Sequence, residues 1–298
     1  MIRLSSHLKF SLAVAGSLAV GWHTLLGAST LALRRGEYTH ILMIIPISVA
    51  LIYTEWPSPK AGDKTSDPVG LAVLIAGVVF ALTGKFAAPS GTQLTWGMLA
   101  LVTWWLGAFV ASYGMPTFRA LLFPLCFLFW LVPIPELTLN KVVAFWQHGS
   151  ALSASLLFSA LGVPVTQDGV MLSIPGLNLE VAQECSSLRS SLMLIVTSMV
   201  LAHLFLRSFW RKTAVVLTAI PLSIAKNGVR IFTIAMLGTR VDRGFLDGNL
   251  HHHGGIIFFL LALFVLLVLL WLLNRRENQT FGSSSHRQNP PSAEQQLG

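Results

Sequence analysis

Three side chains with the chemistry for acyl transfer stand far apart in this 298-residue chain: Cys185, Arg230 and His251. A thiolate is a nucleophile, a guanidinium holds a carbonyl oxygen or a carboxylate, and an imidazole carries protons in both directions. Cys185 belongs to Glu184-Cys185-Ser186-Ser187-Leu188-Arg189-Ser190-Ser191, a polar run at the mouth of an apolar, membrane-length segment. A helix starting just after the thiol favours the thiolate through its dipole, and Arg189, about one turn on, adds positive charge; Glu184 opposes them. Arg230 follows Ser223 and Asn227 at the spacing i, i+4, i+7, so the three share one helical face. Ser223 and Asn227 have a plainer reading as hydrogen-bonding glue between helices. Arg230 has less room for it, because its charge cannot be removed and needs an anion or a wet cavity.

His251-His252-His253-Gly254-Gly255 opens the last apolar segment. Successive helical residues diverge by about 100°, so one or two of these imidazoles at most face a common centre. The run lacks the i, i+4 spacing that converges on one ion, and the expectation is a site with no metal and no cofactor. Taken singly, Cys185 also reads as an inert packing residue and the histidines as an ordinary interfacial loop. Cys126, inside Phe-Pro-Leu-Cys-Phe-Leu-Phe, reads as packing only.

The elements that must position these groups are membrane helices. The chain is 54% hydrophobic and 11% charged, which excludes an ordinary soluble domain. Hydropathy gives spans near 10–32, 38–55, 70–86, 95–112, 120–134, 187–206, 213–237 and 255–273, an all-α polytopic fold of about eight helices. Residues 137–161 are punctuated by Asn140, Lys141, Gln147 and His148 and read as an amphipathic interfacial helix. Alternating runs over 163–182, joined at Pro175-Gly176, read as a β-hairpin, which has open edges and must sit in water. Residues 1–273 form one integral domain, with an uncleaved first helix, and the Ser, Gln, Asn and Pro of 274–298 make a disordered cytoplasmic tail.

The net charge of +8 is scattered through loops and termini, without the basic stripe or interleaved aromatics of a nucleic-acid surface. Two cysteines without CxxC spacing exclude a disulfide framework and a zinc ribbon. Arg207, Arg211 and Lys212 in one loop, and Arg275 and Arg276 after the last span, set both on the cytoplasmic side. Cys185, Arg230 and the histidines then share the extracytoplasmic face; Arg34 and Arg35 are the exception to the charge rule.

At this point the residues resemble a known family, the exosortase/archaeosortase family of multi-pass membrane transpeptidases. The likeness rests on Glu184-Cys185-Ser186-Ser187-Leu188-Arg189, on Ala225-Lys226-Asn227-Gly228-Val229-Arg230-Ile231, and on His251 spaced by four from Gly255 and seven from Phe258. Looser likenesses are His40 to Ser48, Pro133-Ile-Pro135 and Asp168-Gly169, so the match runs over about 38–270. The resemblance implies a thiol protease of the cytoplasmic membrane that cleaves C-terminal sorting signals of the PEP-CTERM kind from exported, membrane-anchored proteins. It implies Cys185 as nucleophile, Arg230 as carbonyl or transition-state stabiliser and His251 as acid/base, with Arg189, Asn227, Ser187 and His252 supporting them or binding substrate. The acceptor is an envelope glycan or lipid, or water. Two other readings are a membrane O-acyltransferase that uses a histidine, and a transporter in which Arg230 and the histidines line a route; the chain shows no inverted repeat for the latter.

Overall fold

The computed structural model describes residues 2–57, 68–181, 188–242, 244 and 255–288. The chain divides into two compact units, Met1–Val142 and Val143–Gly298.

In the first unit, α1 (Ile2–Val20) and α2 (Trp22–Arg34) meet at Gly21 with a bend of 72°, so the segment expected as one straight span is broken. A 3-10 turn (Gly36–Tyr38) leads into α3 (Ile41–Thr54). Next come α4 (Pro68–Phe86) and α5 (Gln93–Ala120), the latter kinked at Gly114, whose φ of 82° no ordinary helical residue adopts. Along α4 the buried Gly70, Gly77 and Gly84 recur every seven residues and face α5. A Cβ on Gly70 would lie 2.6 Å from the Ala111 nitrogen, and one on Gly107 would lie 2.7 Å from the Leu74 nitrogen. The two backbones therefore approach as closely as side-chain-free positions permit, which is how helices associate where lipid removes the hydrophobic drive.

Residues 120–134 do not form the expected span. They make a five-residue helix, α6 (Leu122–Cys126), and a 3-10 turn (Phe127–Leu131), closed by Pro133 and Pro135. Ten helical residues rise about 15 Å, half a bilayer core. Together with α7 (Glu136–Ala160) they make a pair bent by 98°, a broken span or re-entrant loop. Six helices of the described chain are long and apolar enough to cross a membrane, or up to eight if each bent pair counts as one span. The Pro133-Ile-Pro135 elbow is pinned from three sides: the Tyr38 hydroxyl donates to the Ile134 carbonyl (2.9 Å), Thr95 donates to that of Pro133 (2.9 Å), and the buried His40 meets Trp130 edge-on at 5.8 Å. Cys126 is exposed, against the expectation of packing: on so short a helix the inward positions go to Pro124 and Leu125, and the thiol turns outward.

In the second unit the expected hairpin gains a strand. β1 (Thr166–Asp168), β2 (Met171–Ile174) and β3 (Leu177–Glu180) form an antiparallel sheet in that order. Pro175-Gly176 makes the second turn, with Gly176 at φ 83°; Gly169-Val170 makes the first, with Gly169 at φ 59°. Leu172 and Ile174 pair with Leu179 and Leu177 on one face, which packs on Ala151, Ala154 and Phe158 of α7 and on Ile231, Phe232 and Ala235 farther along the chain. Thus the buried stripe of α7 (Trp146, Ser150, Ala151, Ala154, Phe158) is taken up by protein. Three long helices follow: α8 (Leu188–Phe205), α9 (Phe209–Arg240) and α10 (Gly255–Gln288).

The apolar count along α10 falls after residue 273, yet packing extends to Glu277, whose side chain is only 2% exposed. Its carboxylate accepts the backbone N–H groups of Arg207 (3.0 Å) and Ser208 (2.8 Å) and lies 3.7 Å from Arg211. Ser208 is the N-cap residue of α9 and its own side chain makes no cap. The missing cap is supplied from α10, where a carboxylate also complements the positive end of α9.

Candidate active site

Helix α9 carries the site's described residues because its sequence breaks an apolar helix with one polar stripe. Ser223, Lys226 and Asn227 are buried on it and Arg230 is half-buried one turn farther on. Two neighbours hold the stripe in place. On the α7 side, a Cβ on Gly228 would stand 3.0 Å from the Ala154 nitrogen and nearer still to Ser153, so the two backbones all but touch there. Beside that crossing, the Asn227 amide donates to the Ser150 hydroxyl at 2.9 Å, entirely buried. On the α8 side, the Lys226 ammonium donates to the Ser190 hydroxyl. The glycine fixes the helix spacing and the polar pairs fix rotation and register, which sets where Arg230 is presented.

The site residues read from sequence fall into three groups. Arg230 and Asn227 share one face with Ser223, as the spacing requires, and Asn227 is engaged as interhelical glue. Arg189 is exposed on the first turn of α8; among the described residues no hydrogen bond or ion pair joins it to Arg230 or Asn227. Cys185, Ser187, His251 and His252 lie outside the described residues, as does the rest of 182–187 and of 245–254. Their attachments are described: β3 ends at Glu180, with Val181 donating to the Val170 carbonyl (3.0 Å) and accepting from Gln147 (2.9 Å), and α8 begins at Leu188. Cys185 is thus tethered in sequence between a packed sheet and a packed helix, and His251 is four residues before the start of α10.

Sequence reasoning passed over Lys226 and Ser190. Lys226 stands beside Asn227 on the polar face, and Ser190 stands in the serine-rich run after Cys185, where hydroxyls pack or hydrogen-bond helices together. The signal was available: a lysine in a spanning helix costs roughly 2.5–3.5 kcal/mol and needs a reason. Ser150 was hidden differently, in a segment read as interfacial, where a buried hydroxyl has no place. Among the described residues no three His, Cys, Asp or Glu side chains converge on a metal position.

The profile of the transmembrane exosortase family (Exosortase_EpsH) matches residues 32–268, from the end of α2 to the middle of α10. The chain belongs to the transmembrane exosortase family. No curated protein and no solved structure matched. The exosortase match takes in α3 to the start of α7 in the first unit and the polar seam of the second, and it gives a membrane transpeptidase role in the sorting of exported proteins. In the first unit, two motifs that resemble the family lie beside these contacts: His40, at the start of one, packs on Trp130, and Pro133 and Ile134 of the other accept from Thr95 and Tyr38.

Proposed function

We propose that this exosortase-family chain is a cysteine transpeptidase that cleaves C-terminal sorting signals from exported proteins held in the cytoplasmic membrane. The Cys185 thiolate attacks the carbonyl carbon of a peptide bond just outside the bilayer on the extracytoplasmic face. Arg230 donates to the carbonyl oxygen as it gains charge, the C–N bond breaks, and the departing amine takes a proton from the His251 imidazolium. The product is a thioester on Cys185 and a released membrane-anchor segment. An amine or hydroxyl of an envelope glycan or lipid, or water, then loses its proton to His251, attacks the thioester and restores the thiolate. Ser187 and His252 stand beside the nucleophile and the acid/base in sequence and have supporting parts, as does Arg189 on the first turn of α8. Residues 274–298 lead into the cytoplasm.

The observation that carries this reading is the family match over residues 32–268, with Arg230 half-buried on a spanning helix beside a polar seam. Such a guanidinium needs an anion or a developing negative charge, and a tetrahedral oxyanion provides one. The test is co-expression with a membrane-anchored substrate ending in a Pro-containing motif, an apolar helix and an Arg cluster, followed by its shortening on a gel. Cys185→Ala, Arg230→Ala and His251→Ala, each at normal membrane level, are expected to abolish processing. Full processing by Cys185→Ala removes the thiol mechanism and leaves a histidine-dependent acyltransferase as the better reading.

A further inference from the structure

A groove of about 530 Å³ lies in the first unit between α1 and α4, which both pack on α5, and none of the residues of the proposed mechanism lines it. Its two ends differ in chemistry. At one stand Gly16, Ser17, Gly77 and Trp104, and the polar side-chain atoms there are already engaged. The Ser17 hydroxyl donates to the Val14 carbonyl (2.7 Å) and accepts from Trp105 (2.9 Å), and the Trp104 indole donates to the Ala13 carbonyl (3.1 Å). At the other end, where Gly97 faces Thr24 and Gly84 faces Trp96, stand Thr24, Lys85 and Gln93. Among the described residues these three have no hydrogen bond or ion pair, and the Lys85 ammonium lies 5.3 Å from the centre of the Phe86 ring. No Asp or Glu lines the groove.

Lys85 is the last residue but one of α4, a helix long and apolar enough to cross a membrane, so its ammonium reaches the headgroup level. The groove is therefore amphipathic along its length, apolar in depth and cationic with free donors at its mouth. From Gly77 to Lys85 the rise along α4 is about 12 Å, and from Trp104 to Gln93 along α5 about 16 Å, close to the depth of one leaflet of the hydrocarbon core. A helix with its side chains is about 10–12 Å across, so 530 Å³ would hold only about 5–7 Å of one, roughly a single turn. A transmembrane helix, from a substrate or from a second copy, does not fit such a space; a hydrocarbon chain, which has no side chains, does.

We propose that this groove is a lipid-binding site of the first unit. One acyl chain of an anionic phospholipid lies between α1 and α4 on α5, and its phosphate meets Lys85, with Gln93 and Thr24 as further donors. The charge at the mouth sets the headgroup: a lysine with no carboxylate beside it favours a lipid of net negative charge over a zwitterionic one. The groove is lined from both sides of the 72° bend at Gly21, by Ser17 and Val20 before it and Thr24 after it. The bound chain thus fills the angle between α1 and α2 and supports the bend. The proposal is independent of the transpeptidase reading.

The experiment uses the full-length protein in detergent, mixed with phosphatidylglycerol or phosphatidylcholine that carries a photoreactive diazirine midway along one acyl chain. After illumination the labelled peptides are identified by mass spectrometry, with the exposed Ile257, Leu261 and Phe264 of α10 as the reference for unspecific lipid contact. Labels are expected to concentrate on residues 16–21, 78–82 and 100–104. Phosphatidylglycerol should label them about fivefold more than phosphatidylcholine at limiting lipid, the preference that one lysine near an anionic headgroup supplies. Lys85→Gln removes this preference and leaves the chain position unchanged, and Lys85→Arg keeps both. Gly16→Leu fills the groove from α1, where a Cβ meets nothing within 4 Å, and Ala81→Leu fills it from α4; each should lower groove labelling several-fold at normal membrane level. The proposal is overturned if labelling in the groove is no denser than on α10, if the two lipids label wild type equally, or if both filled variants label as wild type does. A native dimer whose groove takes up no label also overturns it and gives the groove to a second copy.

Discussion

One helix pairing in each unit is held together by a different means. In the first, α4 and α5 meet along a line of glycines: Gly70, Gly77 and Gly84 from one side, Gly107 from the other. In the second, α9 meets α7 and α8 through one glycine crossing flanked by Lys226–Ser190 and Asn227–Ser150. Glycine contact is sufficient for association in lipid, so stability alone does not call for the polar seam. Polar groups buried in a spanning helix raise the cost of insertion, and a chain that packs α4 on α5 through glycines yet adds buried polar pairs beside the Gly228 crossing is constrained there by something besides folding. The comparison separates two kinds of damage: changes in the glycine line should lower the amount of folded protein, and changes in the polar seam should lower its activity.

The largest effect is expected at Arg230. Arg230→Ala should slow processing by about a hundredfold to a thousandfold, the range for losing one preorganised donor to an oxyanion. Its membrane level and thermal midpoint in detergent should stay near wild type, because Arg230 is only half-buried. A variant that unfolds instead would erase the contrast between the units. Next comes Gly70→Leu. Its Cβ would fall 2.6 Å from the Ala111 backbone nitrogen, where nothing can swing aside, so α4 and α5 must separate at a cost of about 1–3 kcal/mol or more. The expected result is a lowered thermal midpoint and less protein in the membrane, with an unchanged processing rate per folded molecule. A selective loss of rate would show that the glycine line also serves the site.

How far each unit was legible in the sequence follows from the same contrast. Apolar length located α3, α4, α5, α8, α9 and α10, because a bilayer-length run has one dominant solution. It failed at 120–134, where apolar composition says only that a segment is shielded from water, and Pro133 and Pro135 stop a helix that has made barely three turns. Gly21 broke the first span for a related reason, since hydropathy does not register a bend. Pro175-Gly176 marks the β2–β3 turn; Asp168-Gly169 is an equally good signal for the β1–β2 turn, but β1 is three exposed residues without an alternation of its own to announce a strand. At the site, the i, i+4, i+7 spacing placed Ser223, Asn227 and Arg230 on one face. Periodicity along one helix cannot name the partner helix, and Ser150 and Ser190, which decide what Asn227 and Lys226 do, are 77 and 36 residues away.

Glu277 offers a stability effect of intermediate size outside both seams. Glu277→Ala leaves the Arg207 and Ser208 N–H groups at the start of α9 without their acceptor and should cost about 1–3 kcal/mol, read as a lower thermal midpoint. Glu277→Gln keeps one accepting oxygen and should recover part of it.

The smallest expected effect is also the sharpest probe of the polar seam, because it asks whether Asn227 and Ser150 contribute stability or only position. In membrane proteins such a buried pair couples by about 0.6 kcal/mol, since each partner finds other hydrogen bonds when the helices part. A double-mutant cycle of Asn227→Ala and Ser150→Ala should therefore give a coupling near that value by thermal or denaturant unfolding. Both single variants should slow processing by more than this coupling accounts for, since loss of the pair lets α9 rotate at the Gly228 crossing and moves Arg230, one turn along, off its line. A rate loss no larger than the stability loss would reduce the pair to glue and leave the contrast between the two pairings to the other polar groups of α9.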